Sequence, residues 1–478
     1  MTQEMTRVEP RTLKGFQDFL PADISPRRQV LDAIERIFRL YGFAPLETPA
    51  LEALDALLGA GGAETNKELF RLESPEQEPI ALRFDLTVPF ARLMAQYPAE
   101  LKPPFRRYAM GPVWRADKPG PGRFRQFTQC DIDIAGAPDP AADAEIIAIM
   151  GAIMAELGVT DYAVILNHRK LIDALLEGVG ITEEARQKHV LRIIDKLQKV
   201  GEANVRRELG PGRVDDSGDP IPGAGLEEAT IEAIMGLIAV TGETRAEVVA
   251  NLEQTLPDSD IAAAALADLR EIDAALGALG VDEPHGRFVP SLARGLDYYT
   301  GPVFEMILPS APEFGSVMGG GRYDELVARF LDRPIPATGM SVGLDRLMAA
   351  LDHLGVLPEP EPSAEALIVS LGNVPKSEAL RAAAELRQAG IRTEPYFGEK
   401  KGMRHQLSHA DRRGIPVAVI LGEDELAQGV VAVKDLLEGK RKREAIADHE
   451  SYRKAGKTSQ VTINREDLVS AVRSMLEA

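Results

Sequence analysis

Residues 115–136 read RADKPGPGRFRQFTQCDIDIAG. The centre, Lys118–Gly122, is a proline and glycine turn, while the flanking PVWR and RQFTQCDIDIA are rich in aromatic and β-branched residues, so the stretch predicts a β-hairpin with a long loop. Side chains alternate along a strand, which places Arg125, Phe127, Gln129, Asp131 and Asp133 on one face and Cys130, Ile132 and Ile134 on the other. The apolar face must pack on a core. The polar face then lines solvent or a cleft, and alternation alone is also the mark of an ordinary half-exposed antiparallel strand. The set Arg115, Arg123 and Arg125 beside two carboxylates favours a cleft for a ligand that is anionic at one end and cationic at the other. Guanidinium forks bind phosphate in bidentate fashion, and Phe127 offers a ring face on which a purine can stack.

Three further segments carry polar groups in a pattern. In ALRFDLTVPFARL (81–93) Arg83, Asp85 and Thr87 stand at i, i+2 and i+4, so on a strand they point the same way. The carboxylate and hydroxyl then suit an ammonium group, or Arg83 and Asp85 simply pair at the surface. RGLDYYTG (294–301) presents Asp297, Tyr298 and Tyr299 between two glycines, just after Arg294, at the start of a strand, where the tyrosines either meet a ligand or pack. GGGRYD (319–324) and TGMSVGLDR (338–346) combine glycines that allow close backbone approach with Tyr323 and with Arg346 in the first turn of a helix. Two near-misses are set aside. Gly456-Lys457-Thr458 lacks the leading glycine of a phosphate loop, and HQLSH (405–409) has Gln406 where a zinc-protease helix needs glutamate, so no metal site is expected.

The chain has 478 residues with 55 Lys and Arg against 74 Asp and Glu, a net charge of −19. That length calls for several cores, and the acidic balance argues against a simple nucleic-acid-binding module, which would be strongly basic. Apolar residues make up 45% and charged residues 27%, the composition of a globular protein. The single cysteine, Cys130, rules out disulfides within the chain. No run approaches the roughly 18 apolar residues of a membrane span and the first residues have no apolar leader, so a soluble cytoplasmic protein is expected.

The linker is LPEPEPSAE (357–365), three prolines among acids. Beyond it, apolar runs at 366–371, 391–397, 417–421 and 430–436 alternate with helical patterns at 376–388, 403–413 and 464–476, an α/β domain. Residues 365–478 hold 19 Lys and Arg against 17 Asp and Glu, so this domain alone is free to approach a polyanion. Upstream, period-3.6 patterns fill 179–284, read as a helical insertion with a Gly, Pro and Asp loop at 210–225. The expected organisation is a first catalytic part at 1–178, the insertion at 179–284, a second catalytic part at 285–356, a linker at 357–364 and a C-terminal domain at 365–478.

In combination these segments resemble the class II histidyl-tRNA synthetase family over nearly the whole chain. YGFAPLETPALE (41–52) resembles the dimer-interface signature, Arg115 with RFRQFTQCDID the second class signature, and GMSVGLDR the third. RGLDYYTG and GGGRYDEL resemble the two histidine-specific signatures, and IPVAVILGEDELAQGVVAVKDL an anticodon-binding domain. The resemblance implies an α+β fold, an antiparallel-sheet catalytic domain with a helical insertion followed by a C-terminal α/β anticodon-binding domain. It implies a homodimer that attaches L-histidine to tRNA(His) through a histidyl-adenylate, uses ATP with Mg2+ as substrate, and holds no tightly bound organic cofactor. Carried over by position, Arg115, Arg123, Phe127 and Arg346 bind ATP, with Arg115 and Arg294 at the reacting phosphate. Asp85, Thr87, Gln129, Asp133, Arg294, Tyr298, Tyr299 and Tyr323 hold histidine, and Lys400, Lys401 and Arg404 meet tRNA. The short acids in QCDID and FDLT resemble the branch of the family more usual in eukaryotes and archaea. The competing expectation is a catalytically silent paralogue that acts as a regulatory subunit. It is opposed by the intact signatures and by the C-terminal domain.

Overall fold

The computed structural model describes residues 8–59, 66–120, 122–214, 218–293, 299–437 and 459–477. The chain divides after Pro358 into two compact units. In the first, eight strands form one sheet: β1 (Ala44–Pro45), β2 (Phe105–Trp114), β3 (Gln126–Ala135), β4 (Ala163–His168), β5 (Gly286–Phe288), β6 (Pro302–Ile307), β7 (Ser316–Arg322) and β8 (Ala337–Gly343). Their order is β1-β2-β3-β8-β7-β6-β4-β5. Every pair from β2 across to β4 is antiparallel, and only the two edge pairs are parallel. Strand β3 therefore lies between its hairpin partner β2 and β8, which follows it by some two hundred residues of chain, so the sheet's centre joins the two sequence regions that hold the polar signatures.

The alternation along β3 decides which face is which. Cys130, Ile132 and Ile134 are fully or almost fully buried in one apolar cluster with the helices Pro21–Leu40 and Ala141–Glu156. Ala141–Glu156 is apolar around most of its circumference, as a helix must be when it packs on the sheet and also against Asp260–Ala278. The helices between Arg169 and Ala278 extend this same cluster through Leu175, Ile194, Ile234, Leu266 and Ile272. Within that region the 210–225 stretch differs from the expected loop: Gly212–Val214 and Pro220–Pro222 pair as a short antiparallel hairpin. Positive φ at Gly212 and Gly218 supplies the tight path that side-chain-bearing residues resist. A second, smaller cluster around Phe84, Phe90, Met94 and Leu326 holds the helix Thr87–Gln96.

The second unit has its own five-stranded sheet: β9 (Ala366–Ser370), β10 (Thr393–Pro395), β11 (Val417–Leu421), β12 (Val430–Asp435) and β13 (Gln460–Asn464), ordered β10-β9-β11-β12-β13. Strand β9 pairs in parallel with β10 and β11, and the remaining pairs are antiparallel. Helices Lys376–Gln388 and Leu468–Leu476 share one apolar cluster, while Ala410 and Leu407 of Met403–Arg412 join another. The helix expected from Asn464 begins only at Leu468, because QVTIN pairs as the edge strand β13. Among the described residues no helix is long and apolar enough to cross a membrane.

Candidate active site

The polar face of β3 is built in rows by the strand register. Arg107 of β2 lies opposite Asp133, which lies opposite Gly339 of β8, which lies opposite Gly321 of β7. The next row is Ala109, Asp131, Ser341 and Gly319, and the next Gly111, Gln129 and Gly343, after which Val113 faces Phe127. Acids and amides thus stand on β3 while glycines and one serine floor the neighbouring strands. A Cβ at Gly339 would collide with Asp133 Oδ1 and the Ile132 carbonyl, so a glycine is required there by the carboxylate beside it.

This face is buried, not half-exposed: Gln129 is 7% exposed, and Asp131 and Asp133 are each 2% exposed. Above it opens a cleft of about 340 Å³ lined by Arg115, Arg123, Phe127, Gln129, Tyr299 and Arg346, among others. Arg115 donates through Nε to the Phe84 carbonyl at 2.9 Å, and its guanidinium lies 5.2 Å from the Phe127 ring centroid. Arg346 donates to the Ser316 carbonyl at 2.7 Å from the opposite side of the cleft. The expectation that Arg123 and Arg125 face the carboxylates of β3 is corrected here. Arg123 forks onto Asp117 at 2.6 and 2.9 Å, and Arg125 donates to the Asp117 carbonyl at 3.1 Å. Asp117 is the nearer acid because the loop returns tightly, Gly120 pairing with Arg123.

Charge is concentrated at the deep end. Asp133 forms an ion pair with Arg107 and accepts from the Tyr323 hydroxyl, and both partners are almost wholly buried. Arg107 also donates to the Leu86 carbonyl at 3.1 Å and stands 4.7 Å from the Phe90 ring. Burial pushes the Asp133 carboxyl up, opposed by Arg107 and Tyr323. Burial likewise pushes Asp85 up to about 6, against the Val88 N–H that its Oδ1 accepts at 3.0 Å. Asp131 is pushed up to about 7 by burial and by the Asp133 and Asp85 charges, with Arg107 and the Ser341 hydroxyl opposing. At the rim, burial and a hydrogen bond to Asp117 raise Glu68 to about 7. Although burial alone opposes it, that bond and Arg123 hold Asp117 below its ordinary range. Asp85, Asp131 and Asp133 meet Arg107 at this end, with Arg115 also acting on Asp85 and Arg83 on Asp131, and carboxylates raised by burial suit a cation or a ring N–H.

The Arg83, Asp85 and Thr87 expectation is corrected in form. Only Pro79–Leu82 is strand; Asp85 instead stands just before the helix Thr87–Gln96, where its carboxylate satisfies a first-turn N–H. Arg83 does not pair with Asp85: its guanidinium donates to the carbonyls of Thr48 at 2.7 Å and Pro112 at 3.0 Å.

Two family models match the chain, one described as histidyl-tRNA synthetase over residues 15–347 and one as anticodon binding domain over residues 365–475. The chain belongs to the histidyl-tRNA synthetase family. It is 42% identical to the histidine–tRNA ligase of Paracoccus denitrificans (strain Pd 1222) over 492 aligned residues, covering 99% of each chain. It is 41% identical to that of Caulobacter vibrioides over 484, covering 98% of this chain and 97% of the relative. The solved histidyl-tRNA synthetase of Nostoc sp. PCC 7120 superposes with a TM-score of 0.79 at 32% identity, covering 98% of this chain and all of that one. An ATP phosphoribosyltransferase regulatory subunit/histidyl-tRNA synthetase from Bacillus halodurans superposes at 0.71 with 24% identity, covering 87% of this chain and 99% of that one, which shows the shared fold.

Of the residues singled out by sequence, Arg115, Arg123, Phe127, Gln129, Tyr299 and Arg346 meet at the cleft, while Asp133 and Tyr323 are joined to each other on the β3 face. Asp85 and Thr87 mark the start of the neighbouring helix. Arg294 and Tyr298 lie outside the described residues, as does Gly456-Lys457-Thr458. Lys400, Lys401 and Arg404 are exposed in the second unit, beside an exposed Phe397. Sequence reasoning missed Arg107 and Asp345. Arg107 was findable, because alternation in FRRYAMGPVW sends it to the same face as Ala109. Asp345 accepts from Arg27 at 2.7 and 3.3 Å and from the Thr128 N–H at 2.8 Å, tying the helix Leu344–His353 to β3 and to the helix Pro21–Leu40. Nothing local announces a pairing across 318 positions.

Proposed function

We propose that the protein attaches L-histidine to tRNA(His), activating the amino acid with ATP. The carrying observation is one cleft with arginines from two sides, Arg115 and Arg346, opening onto a buried acidic face. A nucleotide and an amino acid need such ends, and the family match spans both halves of the face. ATP enters as its Mg2+ complex, adenine against Phe127 and phosphates near Arg115, Arg123 and Arg346. Histidine lies deeper, its ammonium near Asp85 and Thr87, its carboxylate end near Gln129 and its ring toward Asp133, with Tyr299 and Tyr323 around the pocket and Arg294 and Tyr298 assigned by sequence to the reacting phosphate and the ring. One carboxylate oxygen attacks the α-phosphorus in line, forming a P–O bond as the bond to the bridging oxygen breaks and pyrophosphate leaves. No side-chain nucleophile is needed, since positioning and charge neutralisation carry such displacements. A terminal ribose hydroxyl of tRNA then attacks the acyl carbon and AMP departs.

In this reading residues 1–178 and 285–356 form the catalytic domain around an insertion at 179–284, and 357–364 links it to the anticodon-binding domain at 365–478, where Lys400, Lys401 and Arg404 meet tRNA phosphates. The protein works in the cytoplasm as a homodimer through the region of Ala44–Glu52, where Leu51 is 45% exposed on the isolated chain. Sedimentation should give twice the 51.8 kDa chain mass at micromolar concentration, and a lone monomer would sink the dimer. A regulatory paralogue is not favoured, given relatives named as ligases over their full length. Pyrophosphate exchange with each of the twenty amino acids tests the function: histidine alone should support it, and exchange with another amino acid or with none would overturn the reading.

A further inference from the structure

Gln406, the residue that spoils HQLSH as a metal motif, is 2% exposed on the helix Met403–Arg412. Its amide meets backbone on two elements. Oε1 accepts the Ser370 N–H at 3.1 Å, while Nε2 donates to the Ser370 carbonyl at 2.8 Å and to the Lys401 carbonyl at 2.6 Å. Ser370 is the last residue of β9. Two residues earlier on that strand the Ile368 carbonyl accepts from the Tyr396 N–H at 3.1 Å, and residues two apart on a strand turn their hydrogen-bonding groups toward the same neighbour. The rung after Tyr396 therefore falls on Ser370. The Gln406 amide occupies it with one acceptor and one donor, as a peptide group of β10 would, and the chain leaves the sheet there.

Phe397, released from pairing beside Ser370, is 71% exposed. A Cβ at Gly398 would collide with the Tyr396 ring, whose centroid lies 5.3 Å from that of His409, so the turn rests directly on that ring. Three residues later the second Nε2 hydrogen of Gln406 holds the Lys401 carbonyl. The turn is thus fixed at Gly398 and at Lys401. It presents Phe397 in the company of the exposed Lys400, Lys401 and Arg404, against one acid, Glu399. A ring among cations suits single-stranded nucleic acid, because bases stack on aromatic faces while Lys and Arg follow the phosphates.

We propose that Gln406 is a positioning residue for tRNA: by standing in for β10 beside Ser370 it holds out the Phe397–Lys401 turn, whose ring receives an unpaired base. This rests on the proposed function and goes beyond it, since Gln406 is buried and itself touches no substrate.

The test uses the full-length protein with tRNA(His). Gln406→Met keeps the length of the side chain and removes all three hydrogen bonds. Gln406→Glu keeps the acceptor for Ser370 and removes both donors, and Phe397→Ala removes the exposed ring. Charging gives kcat and the tRNA KM, pyrophosphate exchange gives the histidine and ATP KM, and urea midpoints report the fold. Loss of one base–ring contact should raise the tRNA KM about tenfold in Phe397→Ala and in Gln406→Met, with kcat and both exchange constants within about twofold of wild type. The double variant should stay within about threefold of the worse single change, because without the ring Gln406 has nothing to present. Effects that multiply, to roughly a hundredfold, would overturn the inference and leave Gln406 as a support of the sheet alone. So would a Gln406→Met protein with a lowered urea midpoint and an unchanged tRNA KM. An unchanged tRNA KM in Phe397→Ala would overturn it as well, by removing the ring as a contact. If the second unit of Gln406→Met is unfolded, Gln406→Glu decides between the same outcomes. Absence of tRNA(His) charging by the wild type would instead overturn the proposed function, and the inference with it.

Discussion

Replacing Asp345 should loosen the fold and the nucleotide end together. Its carboxylate takes two hydrogen bonds from Arg27 and one from the Thr128 N–H, and the two side chains are 9% and 3% exposed. Hydrogen bonds to charged groups contribute about 1.5–3 kcal/mol each, so three counted independently would give an implausible total for one side chain. Breaking a buried ion pair by deleting one partner costs about 3–5 kcal/mol, and that range is the better guide, since the Thr128 hydroxyl at 2.7 Å and the Phe19 ring at 4.6 Å still attend the stranded Arg27. Asp345→Ala should therefore lose about 3–5 kcal/mol in urea unfolding, a large share of the roughly 5–15 kcal/mol typical of a domain. Arg346 follows immediately in the same helical turn, so the ATP KM in pyrophosphate exchange should rise about tenfold, corresponding to ~1.4 kcal/mol of lost positioning, while the histidine KM changes less. A cycle with Arg27→Met isolates the pair: coupling of at least about 1 kcal/mol is expected between the two changes. Additive effects, or an alanine variant with wild-type midpoint and ATP KM, would refute the claim that this buried pair positions the helix.

Two further outcomes follow from the geometry. Because the Asp131 carboxyl is raised in the folded state to about 7 from an unfolded value near 3.8, the native protein holds that proton more tightly than the unfolded chain. Its contribution is thus fully present below pH 3.8 and is lost as pH rises toward 7, with a slope of at most about 1.4 kcal/mol per pH unit. Asp131→Asn should remove that slope, so the variant gains stability relative to wild type as pH rises across the window, and parallel stability curves would contradict it. Removal of residues 359–478 should leave a protein that still exchanges pyrophosphate with histidine but charges tRNA far less well, because the assigned ATP and histidine residues precede Pro358 and each unit has its own apolar clusters. Undiminished charging would dismiss the anticodon-domain assignment, and loss of exchange from a folded truncation would dismiss the catalytic one.

The legible part of the fold was whatever one strand dictates by itself. The alternation in QFTQCDIDIA sorted Cys130, Ile132 and Ile134 into the core, and the prolines of LPEPEPSAE marked the division that falls after Pro358. Illegible from sequence was the depth of the polar face. A strand bearing Gln, Asp and Asp alternately with Cys and Ile is the pattern of a surface strand, and it becomes a buried floor only because β8 and β2 flank it and Arg107 neutralises it from across the ladder. Segment 83–87 departs from the strand expectation for a related reason. Two-residue spacing is shared by a strand and by an acid placed just before a helix, and only the Val88 N–H decides between them.

The residues that resist sequence reasoning share a physical character: each acts through a partner far away in the chain. Asp345 meets Arg27, Arg107 meets Asp133, and Gln129 and Asp131 both meet Ser341, which stands some two hundred positions later. A family signature marks side chains that face a ligand, because those recur with a fixed spacing. The supporting partners are set by register, and register is a property of the assembled sheet.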